Sequence, residues 1–510
     1  MSTDNKFYPS GLYGPTETTD TLGLDTNSPP SAGDDPSWVS DAVNDMSEGW
    51  APIYCVAGGT SYLRDNAREF IPIEPKEDES AWKRRVSKAT LTPFTTKIAD
   101  QGAGLILRKS IQLSPKTGDG AVAEFWEEFC ENVDGYGTDL DAFARSVVIS
   151  SLMLGHAGVI VDYPAREPAP NLEIERERGL RPYFIKVDAD QIIGWRKEAG
   201  NPISPIVQVR IKETVTEQVG QFGDRSVVQI RVLEQGSWRV FRKGENGWEL
   251  YEEGQNSLSV IPLAVTYSGK ISELISRPPL LSIANINICH AQRECDLNHA
   301  LHVSALPILV LRGYDDSDNE IGLSANSAIL MSTDSDASYV EPASSAFTAQ
   351  QSYITELELQ MKNLGISTLF SQTMAAETAE SKQISRSDSD SLLAIVSKDL
   401  QSALQNAFDM AGEFIGQDAP VVQLDRDFDL QQLTDGQIGQ YLGLYTNNVI
   451  SLETLLSMLR AGEVLPSDLD IEEEIEKVEE GKLDGIKLMQ QNSLPFETEE
   501  QEEEEVPPND

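Results

Sequence analysis

Three of the four histidines fall in one short stretch, at His290, His299 and His302, and Cys295 stands among them. Cys295, His299 and His302 are spaced i, i+4, i+7. On a helix that spacing places a thiolate and two imidazoles on one face, a donor set that suits Zn²⁺. A structural zinc takes four ligands, one helix supplies three, and no fourth is evident. The three residues therefore fit better as part of a packing seam than as a metal site.

Other motifs that carry chemistry are missing. Ser268-Gly269-Lys270-Ile271 lacks the glycine-rich approach and the Ser/Thr of a phosphate loop. Gly102 and Gly104 begin a G-x-G, but Leu107 stands where the third glycine belongs. There is no G-x-S-x-G elbow and no H-E-x-x-H. Asp425, Asp427 and Asp429 alternate, and 315–320 is acidic, yet neither run has the glycine and closing glutamate of a calcium loop. No pair of carboxylates stands in a convincing pocket context. The sequence is read as a non-enzyme without cofactor. Trp82, Trp126, Trp195, Trp238 and Trp248 read as core or interface anchors rather than cofactor stackers.

The elements that would carry these residues follow from periodicity. Trp82, Val86 and Ala89 predict a helix over 79–94, and a second runs from about Thr95 to Leu107. A short helix is expected over 121–130 with Phe125, Trp126 and Phe129. DLDAFARSVVISSLML at 139–154 predicts a strong helix with an aspartate cap and Gly155 at its end. GVIVDYP then reads as a buried strand closed by Pro164. Residues 181–268 turn β-branched and partly alternating: Val207, Val209 and Ile211, then Val228, Ile230 and Val232, alternate with polar residues, as in a half-buried antiparallel sheet.

Long helices follow. Pro278-Pro279 suits a helix start. Leu281, Ala284, Ile288, Ala291, Cys295, Asn298 and His302 then recur at spacings of three and four, a seam that becomes polar towards its end. Residues 307–345 read as short strands and turns. A helix is expected over 347–364, with Ile354, Leu357, Met361 and Leu364 on one face and Gly365 as a C′ stop. Leu392, Val396, Leu400, Leu404, Phe408, Ala411 and Ile415 mark another long helix, and short helices close the chain. The fold class expected is α+β.

The chain has 510 residues, with 83 Asp and Glu against 40 Lys and Arg, a net charge of -43. A protein that grips nucleic acid by neutralising phosphates needs a basic face, so this balance argues against one, and against docking on an anionic membrane. The acid is uneven. Residues 1–50 hold nine acids and one lysine, and residues 463–510 hold eighteen acids and three lysines. Together the two ends carry about half of the excess. Both read as solvated and without a core of their own. Four cysteines in this length are too sparse for a disulfide scaffold. The opening MSTDNKFYPSGLYG has neither a basic nor an apolar signal region, and the run 147–161 is too short to span a bilayer. The chain is expected to be soluble and made in a cytoplasm.

The order of elements, together with SLMLGHAGVIVDYP (151–164), DADQIIGWRKE (188–198), RPPLLSIANINICHAQRECDLNHALHVSALPILVLRG (277–313), ELQMKNLGISTLF, ETAESKQI and NNVISLETLLSMLRAGEVLPSDLDIEEEIE (447–476), resembles the portal proteins of tailed double-stranded-DNA phages. Within them it resembles a divergent family whose conserved domain was long catalogued as of unknown function. The resemblance covers roughly 50–480. It implies a portal architecture of wing, stem, clip and crown around a DNA channel, in a homo-oligomer of twelve subunits at one capsid vertex of the virion. It implies as partners the major capsid protein and scaffold, the terminase large subunit, head–tail adaptor and tail proteins, and double-stranded DNA that passes without sequence-specific binding. It divides the chain into wing (48–277), stem helix (278–303), clip (304–345), second stem helix (346–364), channel loop (365–377), a kinked wing helix (378–429) and crown (430–487), between the ends that composition reads as an acidic, disordered arm (1–47) and an acidic, disordered tail (488–510). The loop would bring Ser371, Gln372, Thr373 and Met374 to passing DNA, and the clip would offer Arg312, Tyr314, Asp315 and Asp316 to docking partners. The competing reading is an acidic metal-dependent hydrolase, or another virion scaffold protein.

Overall fold

The structure, a computed structural model, describes residues 35–116, 122–164, 180–201, 203–245, 247–304, 308–312, 336–340, 344–369, 392–424, 435–447, 449–461, 464–465, 469, 471 and 474–478. The chain divides into one unit through Arg426 and a second from Asp427. The class is α+β, as the sequence indicated.

The first unit opens on α1 (Asp41–Asp65), interrupted at Gly59, and the single turn α2 (Ala67–Phe70). Helical structure thus begins inside the segment read as an unstructured arm to 47. Val43, Met46 and Trp50 are buried, and Ser40 N–H donates to the carbonyl of Ile193. A few well-placed apolar residues outweigh the polar composition around them.

The helix α3 (Glu79–Val86) is capped by Asp78, which accepts from Ala81 N–H. It stops at Ser87, short of the expected 94. α4 (Phe94–Ile106) follows Pro93, because the residue before a proline resists helical geometry. Next come β1 (Gln112–Ser114), α5 (Glu124–Glu131) and α6 (Leu140–Leu154). α6 starts and stops as its sequence dictates. Asp139 accepts from Ala142 N–H at 2.7 Å, and Gly155 sits at φ 98°. That glycine is required twice over. Its φ lies in the left-handed region, and a Cβ there would meet Ser276 Oγ at 2.5 Å.

β2 (His156–Asp162) pairs antiparallel with β3 (Tyr183–Asp188) on one side. Its first six residues are buried, which explains the nearly continuous apolar run. After one 3₁₀ turn at 189–191, β4 (Ile192–Lys197), β5 (Ile206–Val219), β6 (Gly223–Glu234), β7 (Ser237–Gly244) and β8 (Gly247–Gln255) form an antiparallel meander in chain order. β9 (Leu263–Tyr267) returns to the other side of β2. The single half-buried sheet expected here is therefore two sheets. The alternation also fails at three positions. Arg210 is buried, with its Nη1 donating to the Pro36 carbonyl, and so is Gln229, while Val228 is exposed towards the tip of the β5–β6 hairpin.

A small hairpin, β10 (Lys270–Ser272) and β11 (Ile275–Ser276), leads to the helix α7 (Leu281–Ser304). β12 (Ile308–Arg312) and β13 (Asp336–Val340) pair antiparallel, and α8 (Ser344–Leu369) returns. α9 (Leu392–Ile415) then packs on β9 and β2, and β14 (Val421–Gln423) pairs with β1. The core closes on an aromatic cluster. Phe408 of α9 lies 5.5 Å from Trp126 and Phe184 and 5.7 Å from Phe129, mostly edge to face. Trp126 donates its indole N–H to the Asp418 carbonyl, and Trp82 donates to Ile71. Trp195 and Trp238 pack on the apolar centre shared by β2–β5, and Trp248 on that of β4 and β6, so all five act as core anchors.

The second unit contains α10 (Asp435–Thr446) and α11 (Leu452–Ala461), the latter started by Ser451, whose hydroxyl accepts from Thr454 N–H. Among the described residues no helix is long and apolar enough to cross a membrane.

Candidate functional site

The helical hairpin α7–α8 carries Cys295, His299 and His302. At 1.5 Å per residue, its 24 and 26 residues make arms of ~36 and ~39 Å. The arms are antiparallel with their ends level. His290, fourteen residues before the end of α7, meets Glu358, fourteen residues into α8. The β12–β13 ladder continues the same pairing beyond the helices, with Ile308 opposite Val340.

The base of the hairpin is anchored by polar as well as apolar contacts. Asn287 is fully buried. Its Oδ1 accepts from the Thr95 N–H at 3.2 Å and the Thr95 hydroxyl at 3.1 Å, and its Nδ2 donates to the Thr92 carbonyl at 2.9 Å. Those three bonds fasten α7 to the start of α4. Further along, Arg85 of α3 holds Glu77 at 2.8 Å and Asp296 of α7 at 3.2 Å. Its hydrogen bond keeps the Glu77 carboxyl below the usual carboxylate range.

The seam read from the sequence is buried from Ala284 to Cys295 and then emerges, since Asn298 is half-buried and His302 exposed. Cys295 donates its thiol to the Arg85 carbonyl at 3.2 Å, and burial pushes that thiol up to about 11. It is turned into the α3 contact, while His302 faces solvent. Among the described residues no group of three His, Cys, Asp or Glu could hold a metal ion. Elsewhere, burial pushes Cys55 and Cys130 up to about 12 and holds His156 down to about 4, with His156 Nδ1 2.7 Å from Ser276 Oγ. These groups are tuned towards their neutral forms, as packed core residues are.

α8 departs from expectation at its end. It runs through Gly365 to Leu369, so Gly365 is not a C′ stop and the helix expected to end at 364 does not close there. The glycine is there for close approach. A Cβ at Gly365 would lie 2.7 Å from Ile98 Cδ1 on α4. The signal was ambiguous in the sequence, because a glycine that ends a helix and one that lets two helices touch look alike.

The other side of α8 is bare. From 346 to 365 only Ile354, Leu357, Met361 and Gly365 are buried, a single stripe at i, i+3, i+7, i+11. Tyr353, Leu359 and Leu364 are exposed, Leu359 at 57%. The remaining exposed positions are chiefly neutral and polar, among them Gln350, Gln351, Ser352, Thr355, Gln360 and Asn363. The hairpin helices carry two Lys or Arg side chains, and each lies within 4.0 Å of a carboxylate. Arg293 is 3.6 Å from Asp296, and Lys362 is 3.9 Å from Glu358.

Arg312 ends β12, opposite Asp336. Tyr314, Asp315 and Asp316, expected in a clip, and Ser371, Gln372, Thr373 and Met374, expected in a channel loop, lie outside the described residues. So do Asp425, Asp427, Asp429, the stretch 315–320 and the acidic tail.

Comparison with known proteins places the hairpin in a recurring unit. Residues 279–415, which span α7, β12, β13, α8 and α9, match a family described as a domain of unknown function, DUF4055. No curated protein matches the chain. Among solved structures, it is similar to a chain in the neck of an empty gene transfer agent particle computed with C6 symmetry (TM-score 0.38, 10% identity, 83% of this chain and 94% of that one). It is also similar to one in the neck of the native particle computed with C12 symmetry (0.37, 10%, 83% and 94%) and to one in the virion of the native particle (0.35, 10%, 72% and 88%).

Proposed function

We propose that the chain is the ring-forming portal subunit of a tailed-phage-like particle, a non-enzymatic conduit through which double-stranded DNA enters and leaves the capsid. The observation that carries this reading is α8. Between 346 and 365 this 26-residue helix buries one narrow stripe and exposes Tyr353, Leu359 and Leu364, so that stretch is underpacked as a single chain. A closed ring of head-to-tail copies gives such a helix a neighbour on its open side. The residue patterns across 151–476 that resemble portal proteins point the same way, and the family match falls on the unit read as stem, clip and wing helix.

The charge pattern suits a conduit. Contacts between Lys or Arg and phosphate release counterions and bind DNA tightly, which would arrest sliding. On both hairpin helices the cations are already matched by carboxylates. In this reading α7 and α8 form the stem, β12 and β13 belong to the clip that docks terminase and head–tail adaptor, and Ser371, Gln372, Thr373 and Met374 line the channel. The wing meets the major capsid protein and scaffold.

The test is the solution mass of the purified protein by light scattering, with negative-stain images of the same peak. A ring with a central hole, of ~670 kDa for twelve copies of 56.1 kDa, is expected. A protein that stays a 56.1 kDa monomer at high concentration with its cognate scaffold present, or a compact dimer retaining zinc, overturns the proposal.

A further inference from the structure

His290 has a setting that the packing of α7 does not require. It is 2% exposed, yet neither ring nitrogen has a hydrogen-bond partner. Each nitrogen instead faces a carboxylate from a different helix. Nδ1 lies 3.9 Å from Glu294 Oε2 on α7, and Nε2 lies 3.6 Å from Glu358 Oε1 on α8. Glu294 Oε2 is itself buried without a hydrogen bond. The third wall is Phe94 of α4, which meets the imidazole edge to face with ring centres 5.6 Å apart.

The geometry decides between two occupants of this site. A metal ion would need several donors around one point, but the two carboxylates lie off opposite nitrogens. A proton on each nitrogen fits. A neutral imidazole donates from one nitrogen and accepts at the other, so its bare lone pair would face a carboxylate oxygen. The imidazolium donates from both. The other charged groups nearby are already engaged. Lys362 lies against Glu358 Oε2 at 3.9 Å, and Arg85 of α3 is held by Glu77 and Asp296. α4 presents Phe94, which carries no charge.

We infer that His290 is a protonation-operated latch, in which the imidazolium ties Glu294 of α7 to Glu358 of α8 and fastens the hairpin to Phe94 of α4. This goes beyond the portal reading and does not rest on it, since the latch is internal to one chain. The latch is closed on the acid side, where both nitrogens carry protons. On the alkaline side a lone pair faces a carboxylate, and α8 loosens along the stretch that holds Leu357, Glu358 and Met361. α8 is the helix free to respond, because between 346 and 365 its buried residues form one stripe.

The test is amide hydrogen exchange of the full-length protein by mass spectrometry at pH 5.5 and 8.5, corrected for the intrinsic dependence of exchange on pH. Peptides covering 354–361 should lose protection at least five-fold at the higher pH, while those of α6 stay unchanged. His290→Gln, which cannot take a charge, should remove the difference and leave α8 equally protected at both values. Glu358→Gln should reduce it without touching the buried ring. Equal corrected protection of 354–361 at both pH values in the unaltered protein overturns the latch, whether or not either variant folds. So does a pH difference that survives intact in His290→Gln. Because the readout is protection within one helix, a protein that fails to form rings still tests the latch.

Discussion

Replacing Gly365 by alanine tests the packing of α8 on α4 in a way that separates the two roles a glycine could have there. Inside a helix, Gly→Ala gains up to ~1 kcal/mol from backbone propensity. Against that, the new Cβ would sit 2.7 Å from Cδ1 and 3.1 Å from Cγ1 of Ile98, a buried side chain. Overpacking of this kind costs ~1–3 kcal/mol, so the net effect should be a loss of about 1 kcal/mol. Ile98→Val removes the atom at 2.7 Å and by itself should cost ~1 kcal/mol. In that background the contact at 2.7 Å is gone and only Cγ1, at 3.1 Å, still crowds the alanine, so the propensity gain should offset most of the remaining cost. The expected coupling between the two positions is thus about 1 kcal/mol, above the scatter of additive pairs.

Urea unfolding followed by tryptophan fluorescence measures this cleanly. All seven tryptophans lie between Trp38 and Trp248, so the signal reports the first unit alone. If Gly365 were instead a left-handed terminator, alanine would cost ~1 kcal/mol whatever stood at 98. An equal cost of the alanine with and without Ile98→Val would therefore refute the close-approach argument.

Phe408→Ala should destabilise the first unit by ~3–5 kcal/mol, because it empties the centre of the Trp126–Phe129–Phe184 cluster; the same fluorescence titration reads it, and a loss below ~1 kcal/mol would place the cluster outside the core. Leu359→Glu, at an exposed position of α8, should leave that unfolding midpoint within ~0.5 kcal/mol yet shift the light-scattering mass from ring to monomer; an intact ring would mean that this side of α8 has no neighbour. Burial holds His156 at about 4 against an ordinary 6.5, so the unfolded chain takes up its proton first, and falling pH between those values removes ~3 kcal/mol. Burial and the neighbouring Asp188 raise the Asp190 carboxyl, and there the sign reverses: the folded chain protonates first and gains stability as pH falls through that range. Melting temperatures from pH 7 to 4.5 should accordingly fall less in His156→Gln and more in Asp190→Asn than in the unaltered protein, and matching slopes in all three would contradict both assignments. Cys295→Ser should leave zinc retention unchanged at background after dialysis, and stoichiometric zinc in the unaltered protein would return Cys295, His299 and His302 to the status of ligands.

The parts of the fold legible in the sequence are those in which one local cause suffices. Asp139 and Gly155 bound α6 because a side-chain acceptor and a left-handed residue act within a single turn. The apolar run 157–161 announces a strand buried on both faces. The readings that failed need a distant partner. Arg210 stands at a position of β5 expected to face solvent, and it is buried because Pro36 supplies a carbonyl from far away in the chain. The start of α1 reads as part of a polar arm because its anchor is Ile193. Gly365 reads as a stop because Ile98 cannot be seen from position 365. The candidate site divides along the same line. The helical seam of α7 is visible as spacing, whereas the fate of each polar residue on it depends on α3, α4 and α8: Asn287 goes to Thr92 and Thr95, His290 to two carboxylates, Cys295 to Arg85.

That dependence bears on how the helical hairpin would serve as the wall of the proposed conduit. Such a wall must hold its shape while presenting a surface to which DNA does not stick. An apolar stripe alone would hold α8 only weakly, and widening the stripe would turn the outer face hydrophobic. Adding exposed lysines or arginines would bring phosphate contacts, each releasing about one counterion and steepening the salt dependence of binding. This chain takes a third course. It places its polar anchors inside, where Asn287 and Arg85 are enclosed by their partners, and the outside of α8 mixes the exposed Tyr353, Leu359 and Leu364 with glutamine, serine, threonine and asparagine. The two cations that remain on the hairpin, Arg293 and Lys362, are matched by Asp296 and Glu358. In the proposed conduit, rigidity then comes from the enclosed anchors and the lack of grip on DNA from cations that are already matched.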